Sequence, residues 1–510
     1  MLTEPRARAG AREWAGLAVL ALPTILLAID LTVLYMALPR LAADLGATNT
    51  ELLWISDIYG FVIAGALITM GTLGDRVGRR RLLLIGAAAF AGASALAAYA
   101  TSPEMLIAAR ALLGLAGATL TPSTLSLIGN MFADPKQRSL AVGVWLTSFS
   151  VGGVIGPAVG GAMLERFWWG SVFLLGIPVM ALLLVTGPFL LPEHRDPKAG
   201  RLDLTSALLS LAAILPIVYG VKQIAKGEAA AVPLLTVAAG FAMGVLFVRR
   251  QRSLASPLLD LRLFAGHRFT GALVSMLLGM ITLNAFTFYF TQYLQLIEGL
   301  SPFAAGLWFV PMAVATIAAA MVAPLIARRL RPAGVIAAGL VVAATGFAML
   351  ALLDAGSGLA LLIAGAVGIN PLLVLSTDLI ISSAPPDRTG SAAAMQETSG
   401  EFGAALGVAV FGTVGTAVYT GRIVLPDGLT DTAARTARDS FAGAFALAQE
   451  LPGAVGGALV TAAREAFMAG MNVVTGISAA VLLGIAVLVM AVLRHVPPLG
   501  GPERATDDPT

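Results

Sequence analysis

Residues 71–82, GTLGDRVGRRRL, connect an apolar run that ends at residue 71 to a second apolar run that begins at Leu82. The glycines permit a tight turn, because glycine adopts backbone angles that are closed to other residues. The aspartate can pair with a helix N-terminus, while the arginines can pair with acids or with lipid phosphates. This 71–82 loop therefore predicts a charged latch between membrane helices that opens when helical bundles rock. The residues assigned to this gating role are Gly71, Gly74, Asp75, Arg76, Gly78 and Arg79.

The composition of the 510-residue chain excludes a soluble protein. Hydrophobic residues make up 58% of the chain and charged residues 12%, and the mean hydropathy is +0.87. The apolar stretches are continuous over about 20 residues, whereas a membrane barrel has alternating strands of about 10 residues. The sequence therefore indicates an all-α polytopic membrane protein.

The inventory of reactive residues argues against catalysis. The chain has no cysteine, and its three histidines, His194, His267 and His495, lie beside charged or proline-rich segments. A thiolate metal site is thereby excluded, and a metalloenzyme is disfavoured. An enzyme or a sensor on the same scaffold is also disfavoured, because the sequence has neither a nucleotide-binding loop nor a sizeable soluble domain. We expect no cofactor, and no nucleic-acid partner is needed to explain the pI of 9.3, since basic loops account for it.

Apolar runs long enough to cross a bilayer occur fourteen times. With a cytoplasmic N-terminus, 23 of the 32 basic residues fall in cytoplasmic segments and 8 in outer ones, and Arg110 remains inside a span. Because basic residues accumulate on the cytoplasmic side, both termini are predicted to be cytoplasmic, in a bacterial inner (plasma) membrane. The predicted spans are 15–38, 52–71, 82–101, 104–128, 140–163, 170–191, 204–221, 231–248, 269–291, 302–325, 333–353, 358–382, 391–419 and 469–493.

The two halves of the chain resemble each other at an offset of 250 residues. Arg138 and Gly153 correspond in this way to Arg388 and Gly403. Parallel half-repeats of this kind occur in transporters whose substrate site lies between the halves. The predicted domains are an N-terminal six-helix bundle (1–200), two additional linker helices (201–265) and a C-terminal six-helix bundle (266–510).

One long segment, 420–468, is predicted to lie on the outer side between helices 13 and 14. Pro452-Gly453 divides it into two alanine-rich stretches of helical character, which predicts an extracellular helical hairpin. Phe441 and Phe445 lie one helical turn apart. We expect them to pack the hairpin onto the membrane helices rather than to touch substrate.

Two charged residues interrupt apolar spans near the N-terminus. Asp30 lies within the apolar run 20–38, where a carboxylate costs a few kcal/mol. Such an acid faces a polar cavity, takes up a proton or meets a cation; alternatively, it only hydrogen-bonds a neighbouring helix. Arg110 needs polar partners too, either a carboxylate or backbone carbonyls and hydroxyls. We expect Asp30 to bind protons and cationic substrate, and Arg110 to tune a nearby carboxylate.

Glu397 and Glu401 lie four residues apart in the predicted span 391–419, and therefore on one face of a helix. Two like charges about 6 Å apart in a low dielectric cannot both stay ionised cheaply. At least one is expected to take up a proton near neutral pH, and a purely structural pair is the alternative. Asp57, in the second span, either recruits cations or caps a helix. Asp378, near the end of the twelfth span, is interpreted as an interfacial residue.

The fifth span contains GGVIGPAVGG, residues 152–161. Gly152, Gly156 and Gly160 recur every four residues, a spacing that lets a neighbouring helix approach to backbone contact. Pro157 removes one backbone donor and bends the helix. The pattern predicts either a generic packing surface or an element that takes part in conformational gating.

Several of these stretches resemble one transporter family. The 71–82 loop resembles the signature loop of the major facilitator superfamily, and Arg110 resembles its fourth-helix arginine, which is associated with proton movement. Residues 152–161 are similar to the fifth-helix element of its antiporters. The first two spans and the Glu397/Glu401 pair are similar to the fourteen-span drug:proton antiporters, in particular bacterial exporters of quaternary ammonium compounds. Those exporters often carry a further acid in span ten, which residues 302–325 lack.

This resemblance, which covers essentially the whole chain, implies a major facilitator fold of 6 + 2 + 6 helices. It also implies proton-coupled export of lipophilic, cationic drugs, antiseptics or antibiotics by alternating access. The expected partners are lipophilic small molecules, protons and membrane lipids, and the expected state is a monomer. A dedicated self-resistance exporter of one secondary metabolite is the alternative. Phe286, Tyr289 and Trp308 are candidates for an apolar substrate-binding wall, or for packing and lipid-facing positions.

Overall fold

The structure is a computed structural model. In its described part the secondary structure is helical and includes no strand, in agreement with the predicted class. The predicted domain boundary at residue 200 lies outside the described residues, as do His194 and Arg388. The described residues are 9–498 apart from 133, 194, 196–202, 226–230, 255–256, 258–260, 353–358, 385–388 and 428.

The helices follow the predicted spans closely along most of the chain. The first nine are α1 (Ala11–Leu45), α2 (Asn49–Val77), α3 (Arg79–Ala98), α4 (Pro103–Met131), α5 (Pro135–Arg166), α6 (Ser171–Leu174), α7 (Gly176–Leu190), α8 (Leu204–Ala225) and α9 (Ala231–Ser253). A short 3-10 helix (Leu261–Ala265) precedes α10 (His267–Gln292), which ends in a π-helical turn (Tyr293–Ile297). The remainder are α11 (Pro302–Leu307), α12 (Phe309–Ala327), α13 (Pro332–Leu352), α14 (Leu359–Ser382), α15 (Thr389–Arg422), α16 (Asp431–Asp439), α17 (Phe441–Ala448) and α18 (Gly453–Leu493).

Eleven helices among the described residues are long and apolar enough to cross a membrane. A twelfth results if the two parts of α5, bent by 41° between Gly153 and Ile155, form one span. Two shorter apolar helices, Leu204–Gly220 and Val367–Ser382, coincide with the predicted seventh and twelfth spans. The multi-span helical architecture is therefore confirmed, and the count of fourteen stays a prediction.

One compact unit comprises Met1–Asp260, Asn284–Val310 and Ala404–Met471. Within it α1 packs along α5, α2 along α4, and α3 along both α4 and α7. Large apolar side chains fill the space between these helices, which gives the unit a well-packed core. Its fully buried side chains include Leu20, Leu34, Met36, Leu41, Tyr59, Phe61, Phe90 and Phe132.

The second compact unit comprises Leu261–Leu283, Pro311–Gly403 and Asn472–Thr510. In this unit α13 and α14 cross at a pair of glycines. A Cβ atom on Gly339 would lie 2.7 Å from the carbonyl oxygen of Gly368, and a Cβ on Gly368 would lie 2.4 Å from that of Gly339. The two backbones are therefore in direct contact, as is common where small residues line helix interfaces in membranes.

Large apolar side chains lie exposed along several helices. Leu352, Phe189 and Val487 are 84%, 74% and 70% exposed. A soluble protein rarely exposes so many such side chains, but a membrane protein shields them with lipid chains. The exposed positions therefore agree with the hydropathy of the sequence.

The predicted linker helices α8 and α9 form a tight antiparallel pair that packs on α2. At one end of the pair, Arg250 Nη2 contacts Asp203 Oδ1 at 2.8 Å, and the Ser206 hydroxyl also donates to Asp203. Burial raises the pKa of Asp203, but hydrogen bonds donated by Arg250 and Ser206 outweigh it, so the pKa lies below its ordinary value. Gln251, which is 2% exposed, donates to the Ser206 hydroxyl at 2.7 Å. A polar cluster thus joins the two helices beyond their apolar stretches.

The last helix begins earlier than the sequence pattern predicts. The prediction places its start at residue 469, whereas α18 runs unbroken from Gly453 to Leu493. Pro452 stands directly before it, and no proline follows within the helix to interrupt its hydrogen bonds. Two short helices, α16 and α17, precede it. The ring of Phe441 lies 6.4 Å from that of Phe445 and 5.5 Å from that of Phe467, which belongs to the predicted hairpin segment itself. Helix α17, which carries Phe441 and Phe445, also contacts α1. The outer location of the hairpin stays a prediction.

Substitution of Gly240 should loosen the α8–α9 pair. A Cβ at Gly240 would lie 2.7 Å from the carbonyl oxygen of Ala213, whereas at Gly244 the nearest atom would be 3.8 Å away. We expect Gly240→Ala to lower the free energy of unfolding by roughly 1–3 kcal/mol. Gly244→Ala, with the same gain in helix propensity, should be neutral or slightly stabilising. Thermal melting of the purified variants would measure this, and equal melting temperatures would contradict the close contact.

Candidate functional site

A buried ion pair joins α1 to α4. Arg110 Nη1 donates a hydrogen bond to Asp30 Oδ2 at 2.6 Å, and the two side chains are only 1% and 8% exposed. Arg110 is the fully buried side chain of largest volume among the described residues. The structure thus brings together the two charged residues that interrupt the early apolar spans.

Other contacts hold the arginine in place. Arg110 Nε donates to the backbone carbonyl of Ile55 on α2 at 3.2 Å. The guanidinium carbon lies 4.4 Å from the centre of the Tyr59 ring, a geometry that favours a cation–π interaction. Arg110 therefore combines both expected environments, since it meets a carboxylate and a backbone carbonyl. Three helices, α1, α2 and α4, converge on this one side chain.

The chemistry open to this pair follows from its burial. Removing one partner of a buried ion pair costs roughly 3–5 kcal/mol, because the other charge remains without compensation. A proton on Asp30 would neutralise the carboxylate and would likewise leave the charge of Arg110 without compensation. The ion pair therefore links the charges of these two side chains to the packing of α1 against α4.

The glycines of α5 pack against α1 on both sides of Asp30. A Cβ at Gly152 would lie 2.3 Å from the carbonyl oxygen of Ile25, and one at Gly156 would lie 3.2 Å from the Ile29 Cα atom. A Cβ at Gly160 would lie 2.0 Å from the Val33 side chain. The predicted close approach is thus found, and its partner is the helix that carries Asp30.

Helix α5 also contacts α11, through the glycines Gly161 and Gly306. A Cβ at Gly306 would lie 2.4 Å from the carbonyl oxygen of Pro157, and one at Gly161 would lie 2.4 Å from that of Pro302. Near this crossing, the Ser301 hydroxyl donates to Glu165 Oε1 at 2.6 Å. Helix α5 is therefore in backbone contact with α1 on one face and with α11 on another.

Residues 71–82 are helical except for Gly78, which alone connects α2 to α3. Gly78 separates α2 from α3 and has a φ angle of +117°, which side chains rarely adopt. Asp75 pairs at 2.6 Å with the side chain of Arg79, the first residue of α3. Gly71 packs against Pro122 of α4 and Gly74 against Arg79, whereas Arg76 is exposed.

Glu193, just after α7, holds the loop from the other side. The Arg80 N–H donates to Glu193 Oε1 at 3.1 Å, and the side chains of Arg80 and Arg81 lie 3.6 and 3.8 Å from Glu193 Oε2. A Cβ at Gly78 would lie 2.5 Å from the same carboxylate. Sequence reasoning assigned no role to Glu193. The sequence does contain a signal for this role: Glu193 follows the predicted span 170–191, whose end is predicted to lie on the cytoplasmic side, as are the arginines of the 71–82 loop.

Glu397 and Glu401 lie on α15, in the second compact unit. Both residues are partly buried, and Glu401 Oε2 is buried without a hydrogen-bond partner among the described residues. Two residues after Glu401, a Cβ at Gly403 would lie 2.8 Å from the carbonyl oxygen of Leu277, so α10 packs closely against this part of α15. The arrangement places two partly buried carboxyl groups one helical turn apart.

Asp57 is buried within α2 and is 1% exposed. Thr48 is the N-cap of this helix, since its hydroxyl accepts a hydrogen bond from the Glu51 N–H. The expectation that Asp57 caps a helix is therefore wrong for α2, because Asp57 lies two turns inside it. Recruitment of cations would require a conformation that opens Asp57 to solvent. Asp378 is exposed near the end of α14, in keeping with an interfacial position.

The three candidate aromatic residues occupy different environments. Phe286 is 3% exposed and stacks on Phe290, with ring centres 5.4 Å apart. Tyr289 is 6% exposed, and its hydroxyl lies 3.4 Å from the carbonyl oxygens of Phe411 and Gly412. Trp308, between α11 and α12, is 36% exposed. Phe286 and Tyr289 thus occupy packing positions, and the substrate-binding role of all three residues stays a prediction.

Substitution of Gly152 should open the contact between α1 and α5. Its Cβ would meet the backbone of Ile25, whereas a Cβ at Gly153 would meet nothing within 4 Å. The chain has no cysteine, so a single Val33→Cys substitution, at a position that is 1% exposed, provides a specific label. We expect a membrane-permeant maleimide to label this cysteine at least about tenfold faster in the Gly152→Ala background, because overpacking separates the helices. Gly153→Ala should label at the parent rate, and a similar acceleration by both substitutions would contradict the assigned interface.

Comparison with known proteins agrees with this architecture. The chain is 45% identical over 497 residues to the multidrug efflux pump LfrA of Mycolicibacterium smegmatis, covering 97% of this chain and 99% of the relative. It is 36% identical over 483 residues to the methyl viologen resistance protein SmvA of Salmonella typhimurium, covering 93% and 97%. The inward-facing, unoccupied crystal structure of a bacterial homologue of the human lysosomal transporter Spinster aligns with a TM-score of 0.65 at 16% identity, over 95% of this chain and 98% of that chain. This last likeness concerns the fold alone.

The family model of the Major Facilitator Superfamily matches residues 20–408. The matched range includes the Asp30–Arg110 pair, the 71–82 loop and the glycines of α5. The predicted resemblance is therefore confirmed, and the chain belongs to the Major Facilitator Superfamily of membrane transporters.

Proposed function

We propose that this protein exports lipophilic, cationic compounds, including drugs and antiseptics, from the cytoplasm in exchange for protons. The observation that carries the proposal is the buried Asp30–Arg110 pair, an ionisable couple in an apolar helix pair of a transporter. Two relatives support the substrate class, since one is named as a multidrug efflux pump and the other as a methyl viologen resistance protein. Because residues 302–325 lack the further acid that the quaternary ammonium exporters often carry, the proposed site favours monocations over dications.

Coupling begins with the charge of Asp30. When the carboxylate is ionised, Arg110 is compensated and α1 stays close to α4. When a proton binds, the attraction is lost and Arg110 must find another anion or more water. The balance between two arrangements of α1 therefore shifts with protonation, which is the requirement for driving a conformational change with a proton gradient.

The glycine contacts transmit this shift. Because Gly152, Gly156 and Gly160 pack α5 against α1 at backbone distance, α1 cannot move without disturbing α5. Helix α5 in turn contacts α11 through Pro157 and Gly161. A change at Asp30 thus reaches α11 through rigid helices, which provides a route for alternating access.

The carboxyl pair on α15 supplies a second ionisable centre. A cation beside Glu397 and Glu401 would relieve the repulsion between two carboxylates, and a proton on either would do the same. Proton and cation therefore compete for one neutralising role. Competition of this kind makes exchange, rather than joint movement, the favoured mode of coupling.

Neutralising Asp30 should abolish coupled transport. In proteoliposomes, Asp30→Asn should lower efflux of a cationic dye driven by a proton gradient at least about tenfold, because no proton can then bind at this position. Asp44→Asn, an exposed acid on the same helix, is the matched control and should transport at the wild-type rate.

Folding of the Asp30 variant needs a separate measurement, because Arg110 loses its counter-ion. The double variant Asp30→Asn/Arg110→Gln removes both charges and should melt closer to wild type than the single variant does. It should still fail to couple transport to protons. Wild-type efflux against a gradient by Asp30→Asn would refute the assignment.

The two acids of α15 should be separable by substrate and pH. We expect Glu397→Gln to weaken transport of a cationic dye more than that of a neutral drug, and Glu401→Gln to shift the pH dependence of efflux. Because the two residues act as one unit, the double variant should be no worse than the more damaging single change. Glu465→Gln, at an exposed position on α18, is the control. Efflux measured between about pH 6 and pH 8 tests this, and strictly additive losses with unchanged pH profiles would exclude a shared site.

A further inference from the structure

An open cavity of about 830 Å³ lies at the ends of three long helices in the second compact unit. The segment that leads into α10, the end of α14 and the end of α18 form its walls. Its polar lining residues are Arg262, His267, Arg268, Ser382, Ser383 and His495. The proposed export mechanism uses none of these side chains.

The charged side chains among the described lining residues of this cavity are all basic. Two arginines, two histidines and two hydroxyl groups line it, and no carboxylate is among the described lining residues. Asp378 is the acid of α14 that comes nearest in sequence, one turn before Ser382, and it does not belong to the lining. Helix α10 begins at the cavity and contributes the positive end of its dipole, whereas α14 and α18 end there and contribute negative ends, so the positive charge of the site comes from the arginines. Such a site fits a phosphate group, which accepts hydrogen bonds from guanidinium and hydroxyl donors.

The remainder of the lining is apolar. It consists of the side chains of Leu263, Phe269, Leu379, Val492 and Val496, with Gly266 between them. A freely soluble phosphate gains no binding energy from an apolar surface, whereas a phospholipid carries apolar chains close to its phosphate and can bury them there.

The surface of α18 continues this apolar wall along the helix. Met490 and Val487, in the two turns before the cavity, are 44% and 70% exposed. The polar end of the cavity lies where spanning helices begin or end, which is the depth of lipid headgroups. An amphiphile can therefore place its phosphate among the arginines and its chains along α18.

We propose that this cavity binds the headgroup of an anionic phospholipid. Arg262 and Arg268 contact the phosphate, the Ser383 hydroxyl donates to it, and the acyl chains follow α18. Basic pockets at the ends of membrane helices recognise anionic headgroups by this combination of charge and depth. The site is independent of the proposed export function.

Native mass spectrometry of the purified full-length protein tests the proposal, with phosphatidylglycerol and phosphatidylcholine as probes. We expect one phosphatidylglycerol to be retained about tenfold more strongly than phosphatidylcholine, a difference of about 1.4 kcal/mol. Arg262→Gln/Arg268→Gln should abolish this preference. Arg328→Gln/Arg329→Gln, an exposed pair in the same unit with the same change of charge, should retain it.

Ser383→Asp provides a second variant at an exposed position, where folding is not at stake. The new carboxylate should repel the phosphate and lower the preference for phosphatidylglycerol. An unchanged preference in both cavity variants, or an equal loss in the Arg328/Arg329 control, would overturn the proposal. So would stabilisation of the wild type by inorganic phosphate alone to the extent that phosphatidylglycerol achieves, since the site would then belong to a free anion.

Discussion

The contact between Asp30 and Arg110 is the constraint on which the arrangement of the first helices depends. A buried guanidinium needs an anion and several acceptors, and here α1 supplies the carboxylate and α2 a backbone carbonyl. Either charge alone would destabilise the fold by several kcal/mol, whereas the pair is tolerated because its geometry is good. The same pair of contacts therefore fixes three helices relative to one another.

Close backbone contact is the second general feature of this protein. Lipid chains are as apolar as leucine, so helices in a bilayer gain little from burying apolar surface and associate through tight packing instead. Glycines provide that packing between α1 and α5, between α5 and α11, and between α13 and α14. At these contacts a methyl group in place of the glycine hydrogen would collide with the neighbouring helix.

Much of the architecture follows from local sequence. Runs such as residues 82–101 and 333–353 predict helices correctly, because hydropathy and length are properties of a single segment. The start of α18 is missed, because residues 453–468 are predicted as a helix of a separate hairpin, whereas they continue into the last span without a break. Glu193 is missed for a different reason: its arginine partners lie more than a hundred residues earlier in the chain.

The sequence by itself determined the class of the protein, its membrane helices, its family and the identity of its unusual charges. Each of these depends on composition or on a short motif. Tertiary structure alone decided that Asp30 is the partner of Arg110, that the α5 glycines face α1, and that Arg262, Arg268 and His495 share one cavity. These pairings join residues far apart in the chain, and a pattern along one helix indicates that a partner is needed without indicating which helix supplies it.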